Sequence, residues 1–310
     1  HKGLKYDFVP NVLVVSAPHL IEQFRELFQD IEGANINIVE HDENKVLKNI
    51  GGQHALIGCP RSVFTSKLFE KAKDSLLWVH GPGAGVEPFF IPEFVDSDIT
   101  FTNGRIIQGP ECADHAMALL LTLTRRLHLV QKGVAYKDLP RPLELRNKKG
   151  VIIGVGGIGL CIAERAKGFG MKLIGVDADY VPMLNLFEKV VPPCRLKEVI
   201  EDADVVFMAA PHTFDTESVL DKESFSKMKK KPYIINVSRG KTIHTDALYD
   251  AVTSGQIEAC GIDVTDPEPL PESHPLRFLD NVIITPHIAG LSDFNRERSL
   301  VLMKRNILSC

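Results

Sequence analysis

The sequence predicts an α/β protein built from two parallel β-sheets that are covered by helices. Three observations carry this prediction. Apolar runs of strand length alternate with helical stretches in both halves of the chain, a glycine-rich strand-to-helix turn opens the second half, and 310 residues are enough for two cores. Strands that alternate with helices imply crossover connections, and these produce parallel pairing.

Composition narrows the class of protein. Hydrophobic residues make up 44% of the chain and charged residues 25%, as in ordinary globular proteins, and the net charge is -4. This charge offers no basic surface to nucleic acid or to anionic lipid, so we expect neither as a partner. The longest apolar stretch, residues 116–123, is too short to span a membrane.

The six cysteines contain no C-x-x-C pair and none lies at zinc-ligand spacing from a histidine. They therefore indicate free thiols in a reducing compartment and no metal site, and we expect a cytoplasmic protein. The chain begins without an initiator Met and stops inside a predicted helix, which is typical of a sequence whose native ends lie elsewhere.

The first half reads as one α/β unit. Residues 12–15 form a buried apolar run, and residues 19–31 place apolar side chains on one helical face. A long helix over residues 111–132 leads out of this half. Further strands are predicted at residues 36–39, 55–57, 76–79 and 99–101.

The second half begins with a strand at residues 151–153, a helix over 158–169 and a strand at 172–176. Later strands are predicted at residues 205–208, 233–236, 260–262 and 282–284. The last helix, residues 293–308, is expected to return to the first half and make that domain discontinuous. The predicted domains are residues 1–109 with 291–310, and an inserted domain over residues 110–290.

Each glycine of the glycine-rich turn has a structural role. Gly154 allows a tight turn after the strand, Gly156 lets the backbone approach a pyrophosphate, and Gly159 lets the helix pack closely on the strand. The phosphates then meet the free N–H groups of Gly157 and Ile158 at the start of the helix. A lone G-x-G-x-x-G is a weak signal, and a plain glycine-rich bend is the alternative.

The context of the turn strengthens this interpretation. The next strand ends at Asp177, eighteen residues after Gly159, which is about the spacing of the acid that binds an adenosine ribose. A carboxylate there accepts from the ribose hydroxyls and repels a 2′-phosphate. The sequence therefore predicts a Rossmann-like site for NAD rather than NADP, although an acid in a surface turn is the alternative for Asp177.

Arg239, Glu268 and His287 are the candidate catalytic residues, and each lies beyond a strand end or in a turn. A guanidinium matches a carboxylate and polarises a neighbouring keto oxygen, and a histidine exchanges a proton near neutral pH. Glu268, between two prolines, is placed to orient the imidazole and favour its protonated form. Taken singly, a structural ion pair, a structural histidine and a solvated loop acid are the alternatives.

These residues and motifs resemble the D-isomer-specific 2-hydroxyacid dehydrogenase family over nearly the whole chain, and most closely its glyoxylate/hydroxypyruvate reductase branch. The matching segments are Gly83-Ala84-Gly85-Val86-Glu87, Ala113-Asp114-His115-Ala116, Gly154-Val155-Gly156-Gly157-Ile158-Gly159, Ala210-Pro211-His212-Thr213, Asn236-Val237-Ser238-Arg239-Gly240, Gly261-Ile262-Asp263-Val264, Pro267-Glu268-Pro269-Leu270 and Thr285-Pro286-His287. Asp114 stands where the family usually has Glu, and Glu87 where it usually has Asp.

The resemblance implies that Arg239 binds the carboxylate and carbonyl oxygen of a 2-oxo acid. It also implies that His287 protonates that oxygen as hydride arrives from NADH, while Glu268 hydrogen-bonds His287. Ala84 and Gly85 would hold the substrate carboxylate through their backbone N–H groups. Further implied cofactor contacts are Ala210, Pro211, Thr216, Val237, Asp263, His287 and Gly290, with Asp263 accepting from the nicotinamide carboxamide.

Two expectations concern assembly and closure. The apolar residues within 113–129 exceed what one helical face needs, so we predict a homodimer with this helix at or near the interface, as the resemblance also implies. Cofactor and substrate are expected in the cleft between the two halves, with closure bringing residues 84–85 towards Arg239.

Other functions stay open at this point. Formate dehydrogenase, within the same family, carries Gln where this chain has Glu268, which argues against it. A dinucleotide-sensing interaction protein, like the transcriptional corepressors of the family, can keep all three candidate catalytic residues. Rapid turnover of NADH with 2-oxo acids would distinguish an enzyme from such a sensor.

Overall fold

The computed structural model describes residues 8–86, 89–104, 107–179 and 185–309. The chain divides into two compact units. Unit 1 contains residues 1–107 and 292–310, and unit 2 contains residues 108–291. No helix in the described ranges has both the length and the apolar character needed to cross a membrane.

Unit 1 is built on a five-stranded parallel sheet with the order β2-β1-β3-β4-β5. Its strands are β1 (Asn11–Ser16), β2 (Asn35–Glu40), β3 (Ala55–Ile57), β4 (Trp78–His80) and β5 (Thr100–Thr102). Its helices are α1 (Ile21–Phe28), α2 (Glu43–Asn49), α3 (Ser66–Ala72) and α4 (Pro92–Val95), together with the last helix of the chain, Asn295–Leu308.

Both faces of this sheet are buried, as the nearly continuous apolar sequence of β1 requires. Leu13 and Val15 join the core that includes residues of α2 and α3. Val12 and Val14 point to the opposite face, where they join residues of α1 and of the last helix. Successive side chains of a strand alternate between faces, so β1 supplies both cores.

Unit 2 is built on a seven-stranded parallel sheet with the order β12-β11-β10-β9-β6-β7-β8. Its helices are α5 (Gly109–Thr124), α6 (Leu127–Gln131), α7 (Gly157–Gly168), α8 (Leu196–Ile200), α9 (Lys222–Lys227) and α10 (Thr245–Thr253). Its strands are β6 (Lys149–Ile153), β7 (Lys172–Val176), β8 (Lys189–Val191), β9 (Val205–Met208), β10 (Tyr233–Asn236), β11 (Ala259–Ile262) and β12 (Val282–Ile284).

The order of strands in unit 2 reverses at β6. The chain adds β7 and β8 on one side of it and β9 to β12 on the other. In a parallel sheet of this kind, ligands bind outside the carboxyl ends of the strands at the reversal. The predicted fold class, two parallel sheets with a Rossmann-like domain, is therefore confirmed.

Some local predictions were wrong. The helix predicted over residues 111–132 is broken into α5 and α6, because Arg126 adopts a left-handed conformation with φ 60°. The Arg126 guanidinium donates to Glu258 Oε1 at 2.6 Å, a contact between residues far apart in sequence. The strand β8 was missed, because three residues at a sheet edge carry too little pattern.

The apolar residues of α5 contribute to a core of unit 2, and the predicted homodimer stays a prediction. They are buried within unit 2, where α5 packs against α7 and the strands β10 and β11. The buried positions are Ala113, Ala116, Met117, Leu119, Leu120 and Leu123. The apolar character of this helix is therefore explained by the fold of its own unit and does not indicate an interface with a second copy.

Candidate active site

The glycine-rich turn joins β6 to α7 at the carboxyl edge of the unit 2 sheet. Gly154 has φ +89°, and a Cβ on it would lie 2.4 Å from the backbone nitrogen of Ala210. A Cβ on Gly159 would lie 2.0 Å from the carbonyl oxygen of Gly154. Neither position tolerates a side chain, so both glycines are needed for the turn and for the close packing of helix on strand.

The start of α7 is suited to an anion. Gly156 precedes the helix and has no side chain that could cap it, so the first N–H groups, those of Gly157 and Ile158, remain for a ligand. Asp177 follows β7 directly, and its carboxylate accepts from the N–H of Val155 at 2.6 Å and from that of Asp179 at 3.0 Å. A helix N-terminus without a side-chain cap and a carboxylate held at the same turn fit an adenine dinucleotide.

The loop after β9 lies at the same edge. Ala210 is buried and Pro211 is exposed. The Thr216 hydroxyl donates to the carbonyl oxygen of Pro211 at 2.6 Å and accepts from the N–H of Thr213 at 2.7 Å. Thr216 therefore shapes this loop, and its predicted contact with the cofactor stays a prediction.

Arg239 is presented by a turn that Asn236 organises at the end of β10. The buried Asn236 amide accepts from the N–H of Ser238 at 3.0 Å and donates to the carbonyl oxygen of Arg239 at 3.0 Å. Arg239 Nη1 donates to the carbonyl oxygen of Ser238 at 2.8 Å. Val237 is buried beneath the turn, so a cofactor contact there would use its backbone.

The predicted pair of Glu268 and His287 is in direct contact. Glu268 Oε1 lies 2.5 Å from His287 Nδ1, and the two side chains are 41% and 47% exposed. A carboxylate only accepts, so Nδ1 carries the proton of this hydrogen bond. Nε2 is then the ring nitrogen that remains to exchange a proton with a substrate.

The backbone at His287 is strained. Its φ is +56°, in the left-handed region that costs a residue with a side chain about 1 kcal/mol or more. The segment holds this conformation through Asp263, which is only 2% exposed. The Asp263 carboxylate accepts from the backbone N–H groups of Ile288 at 3.0 Å and Ala289 at 2.8 Å.

Neighbouring strands bring the three catalytic candidates to one edge. Arg239 follows β10, Glu268 follows β11 and His287 follows β12, and these strands pair in that order. The segments also touch, since a Cβ on Gly240 would lie 1.9 Å from the carbonyl oxygen of Thr265. The remaining cofactor candidate, Gly290, accepts through its carbonyl oxygen from Gln108 Nε2 at 3.3 Å.

The substrate candidates Ala84 and Gly85 lie in unit 1, in the loop that follows β4. Both are partly buried, and the carbonyl oxygen of Ala84 accepts from Asn103 Nδ2 at 2.7 Å. Their backbone N–H groups stay predicted contacts of the substrate. Glu87, which ends this motif, lies outside the described residues.

Cys112 is a buried group near the same charges. The pKa of its thiol is raised to about 12, chiefly by burial and also by Glu111 and Asp263, while Arg239 opposes the shift. The thiol is therefore protonated at neutral pH and is no nucleophile. The five described cysteines, including Cys112, are all free.

Sequence reasoning missed two residues that position this site, Asn236 and Thr285. Asn directly after a buried strand is a signal for a side-chain-stabilised turn, and it could have identified Asn236. Thr285 donates its hydroxyl proton to Asp263 Oδ1 at 2.5 Å, a contact between residues that directly follow the neighbouring strands β12 and β11. Nothing local in the sequence indicates this second contact.

Comparison with known proteins places the chain in a family. Residues 117–289 match the NAD-binding domain of the D-isomer specific 2-hydroxyacid dehydrogenases. A glyoxylate reductase/hydroxypyruvate reductase of Homo sapiens is 30% identical over 269 residues, covering 84% of this chain and 82% of that protein. A glyoxylate reductase of Thermofilum pendens is 29% identical over 279 residues, covering 86% of this chain and 80% of that protein.

A solved structure agrees with these relatives. The D-lactate dehydrogenase of Aquifex aeolicus, in complex with NAD and lactic acid, superposes with a TM-score of 0.74 at 27% identity, covering 96% of this chain and 94% of that one. The fold and the glycine turn thus define an oxidoreductase that uses a nicotinamide dinucleotide. The chain belongs to the D-isomer specific 2-hydroxyacid dehydrogenase family.

Proposed function

We propose that this enzyme reduces a small 2-oxo acid to the D-2-hydroxy acid with NADH, and catalyses the reverse oxidation. The observation that carries the proposal is the contact of 2.5 Å between His287 Nδ1 and Glu268 Oε1 at the carboxyl edge of the unit 2 sheet. An imidazole held by a carboxylate at one nitrogen is a general acid–base at the other. Such a group serves the conversion of a carbonyl to an alcohol.

Each of the three residues then has a distinct role. The Arg239 guanidinium binds the carboxylate of the 2-oxo acid and polarises its keto oxygen. Dihydronicotinamide, when bound, supplies the hydride to the keto carbon. His287 Nε2 donates a proton to the oxygen, and Glu268 fixes the ring and stabilises its protonated form. In the oxidative direction His287 takes the same proton back.

Glyoxylate and hydroxypyruvate are the substrates we propose first. Two relatives that cover most of this chain carry these substrates in their names. Both compounds are small 2-oxo acids. Their carboxylate suits the guanidinium of Arg239, and their keto oxygen suits the imidazole of His287. Pyruvate and larger 2-oxo acids complete the panel that tests the choice.

We propose NADH as the preferred cofactor because of Asp177. Its carboxylate is held beside the glycine turn by the N–H groups of Val155 and Asp179. A 2′-phosphate brought to this position would face a fixed negative charge. The measurement is kcat/KM with each cofactor, and equal or better efficiency with NADPH would contradict the proposal.

The main test combines this substrate panel with the variant His287→Ala. The variant should lose roughly a hundredfold or more in kcat, the usual contribution of a general acid, while its affinity for NADH stays unchanged. His19→Ala, on the surface of unit 1, is the matched control and should behave as the wild type. Near-normal turnover by His287→Ala would refute the assignment of the proton donor.

A dinucleotide sensor is the alternative function within the same fold. It would bind NADH tightly and turn over slowly on every 2-oxo acid of the panel. The family includes enzymes by the names of the relatives, so measurable NADH oxidation with one or more panel members is the expected result.

We propose a homodimer for the assembly, with exposed apolar residues that follow α5 at its interface. Leu127, Val130 and Tyr136, just after α5, are 50%, 52% and 94% exposed. Other residues of the same segment, including Arg126 and Leu129, line a cleft of about 500 Å³. Light scattering at micromolar concentration should give the mass of a dimer, and a monomer would refute this surface as an interface.

A further inference from the structure

His115 lies on α5 and reaches the segment that carries His287. His115 Nε2 is 2.9 Å from Thr285 Oγ1, and Thr285 Oγ1 is 2.5 Å from Asp263 Oδ1. His115 Nε2 is also 3.5 Å from Asp263 Oδ1. The three side chains therefore form a continuous polar chain from α5 to the end of β11.

The direction of each hydrogen bond among these three side chains follows from which atoms can only accept. The Asp263 carboxylate accepts, so the single proton of the Thr285 hydroxyl points to Asp263. Thr285 Oγ1 can then only accept from His115, so His115 Nε2 carries a proton. Without this donor, the Thr285 hydroxyl would keep only one partner to set its orientation.

Asp263 in turn holds the backbone at His287 and directly after it. Its carboxylate accepts from the N–H groups of Ile288 and Ala289, and its carbonyl oxygen accepts from the N–H of His287 at 2.9 Å. These bonds hold residues 287–289 against Asp263. In this arrangement His287 has a left-handed backbone conformation, with φ +56°. In this backbone conformation the ring of His287 meets Glu268.

We propose that His115 is a positioning residue for His287, an inference that rests on the proposed role of His287 as proton donor. His115 orients the Thr285 hydroxyl, the hydroxyl completes the set of donors around Asp263, and Asp263 keeps the strained segment in place. Within the part of the chain that the structure describes, no hydrogen bond joins His115 to His287 or to Glu268. Its effect on the reaction is therefore indirect, and we assign it to the 2.9 Å contact with Thr285 rather than to the longer approach of 3.5 Å to Asp263.

The test compares two substitutions at this position. His115→Phe keeps a ring of similar shape and removes the donor, whereas His115→Gln keeps a side-chain N–H. We expect His115→Phe to lower kcat by roughly three- to tenfold, the range for one lost hydrogen bond, with the Kd for NADH unchanged. His115→Gln should recover most of the loss. Equal losses in both variants, or none in either, would overturn the inference.

A double-mutant cycle with Thr285→Val separates positioning from general stability. If His115 acts through the Thr285 hydroxyl, His115→Phe should have little further effect on kcat in the Thr285→Val background. Additive losses would overturn the inference. A residue that only stabilises unit 2 would lower the unfolding temperature and leave kcat per folded enzyme unchanged, and this outcome would overturn it too.

A failure of the role proposed for His115 can be distinguished from a failure of the proposed function. If His287→Ala keeps its turnover, the proposed proton donor is wrong whatever His115 does. If His287→Ala is inactive while His115→Phe and Thr285→Val both turn over normally, the proton donor stands and only the role of His115 fails. Thr285→Val carries the test by itself if His115→Phe does not fold.

Discussion

Protonation of His80 should control the acid stability of unit 1. His80 ends β4, is only 1% exposed, and places Nδ1 2.8 Å from the Thr102 hydroxyl. Burial lowers the pKa of its imidazole from 6.5 to about 4. Asn306 Nδ2, on the last helix, lies 3.4 Å from the same Nδ1 and is a donor, so a proton added there would face another proton.

The sign and size of the effect follow from this shift. A histidine whose pKa is lowered on folding favours the native state fully above its unfolded value of 6.5, and this stability is lost as the pH falls towards about 4. Linkage between these two values predicts a loss of about 2 kcal/mol in the free energy of unfolding between about pH 7 and about pH 5.

The fluorescence of the single tryptophan can be used to follow the unfolding of unit 1. The chain has one tryptophan, Trp78, which is buried in unit 1 and donates from Nε1 to the same Thr102 hydroxyl at 2.8 Å. Urea unfolding followed by its fluorescence at several pH values therefore reports on the surroundings of His80. Other groups also titrate in this range, so variants must be compared with the wild type.

His80→Gln cannot titrate, and its free energy of unfolding should fall by about 2 kcal/mol less than that of the wild type over the same range. His19→Gln, an exposed histidine of the same unit, is the control and should keep the dependence of the wild type. If His80→Gln and the wild type lose stability in parallel, burial of His80 is not the cause of the acid sensitivity.

Three further predictions concern unit 2. Arg239→Lys should lose nearly as much activity as His287→Ala, with a lower kcat and a higher KM, because an ammonium cannot reproduce the two parallel N–H donors of a guanidinium. A KM for the 2-oxo acid equal to that of the wild type would exclude the carboxylate-binding role. Glu268→Gln should be mild at low pH and worse as pH rises, since the anion that favours the protonated ring is lost; a pH–rate profile that superposes on the wild type would contradict it. Gly159→Ala should weaken NADH binding and lower stability by about 1–3 kcal/mol, because its Cβ would lie 2.0 Å from the Gly154 carbonyl oxygen. Gly168→Ala, in the same helix with open space around its Cβ, is the control, and equal effects from the two would show that the contact is not the cause.

Much of the architecture could be predicted because it rests on local patterns. The strands β7, β9, β10 and β12 have the predicted bounds, since short apolar runs between turn residues identify buried parallel strands. The glycines of the turn could be assigned for the same reason, because the backbone geometry that needs them is set within a few residues. Their order after an apolar strand and before a helix, together with the spacing to Asp177, predicted a dinucleotide site.

The catalytic candidates were predictable as residue types but not as an arrangement. The sequence by itself selected Arg239, Glu268 and His287, because a guanidinium, a carboxylate and an imidazole after strand ends suit this chemistry. Only the tertiary structure shows that Glu268 meets Nδ1 of His287 and that Asp263 holds the strained segment. These contacts join residues on different strands, whose distance in space no local pattern contains.

The helix α5 shows most clearly which properties the sequence determined and which the tertiary structure decided. Its sequence determined that it is an apolar helix, but the fold decided which neighbour covers each side and where the helix ends. Arg126 breaks it while paired with Glu258, and its apolar residues pack inside unit 2. His115 likewise became interpretable only through Thr285 and Asp263. Burial and pairing are properties of the assembled unit, because they depend on residues that folding brings together from distant parts of the chain.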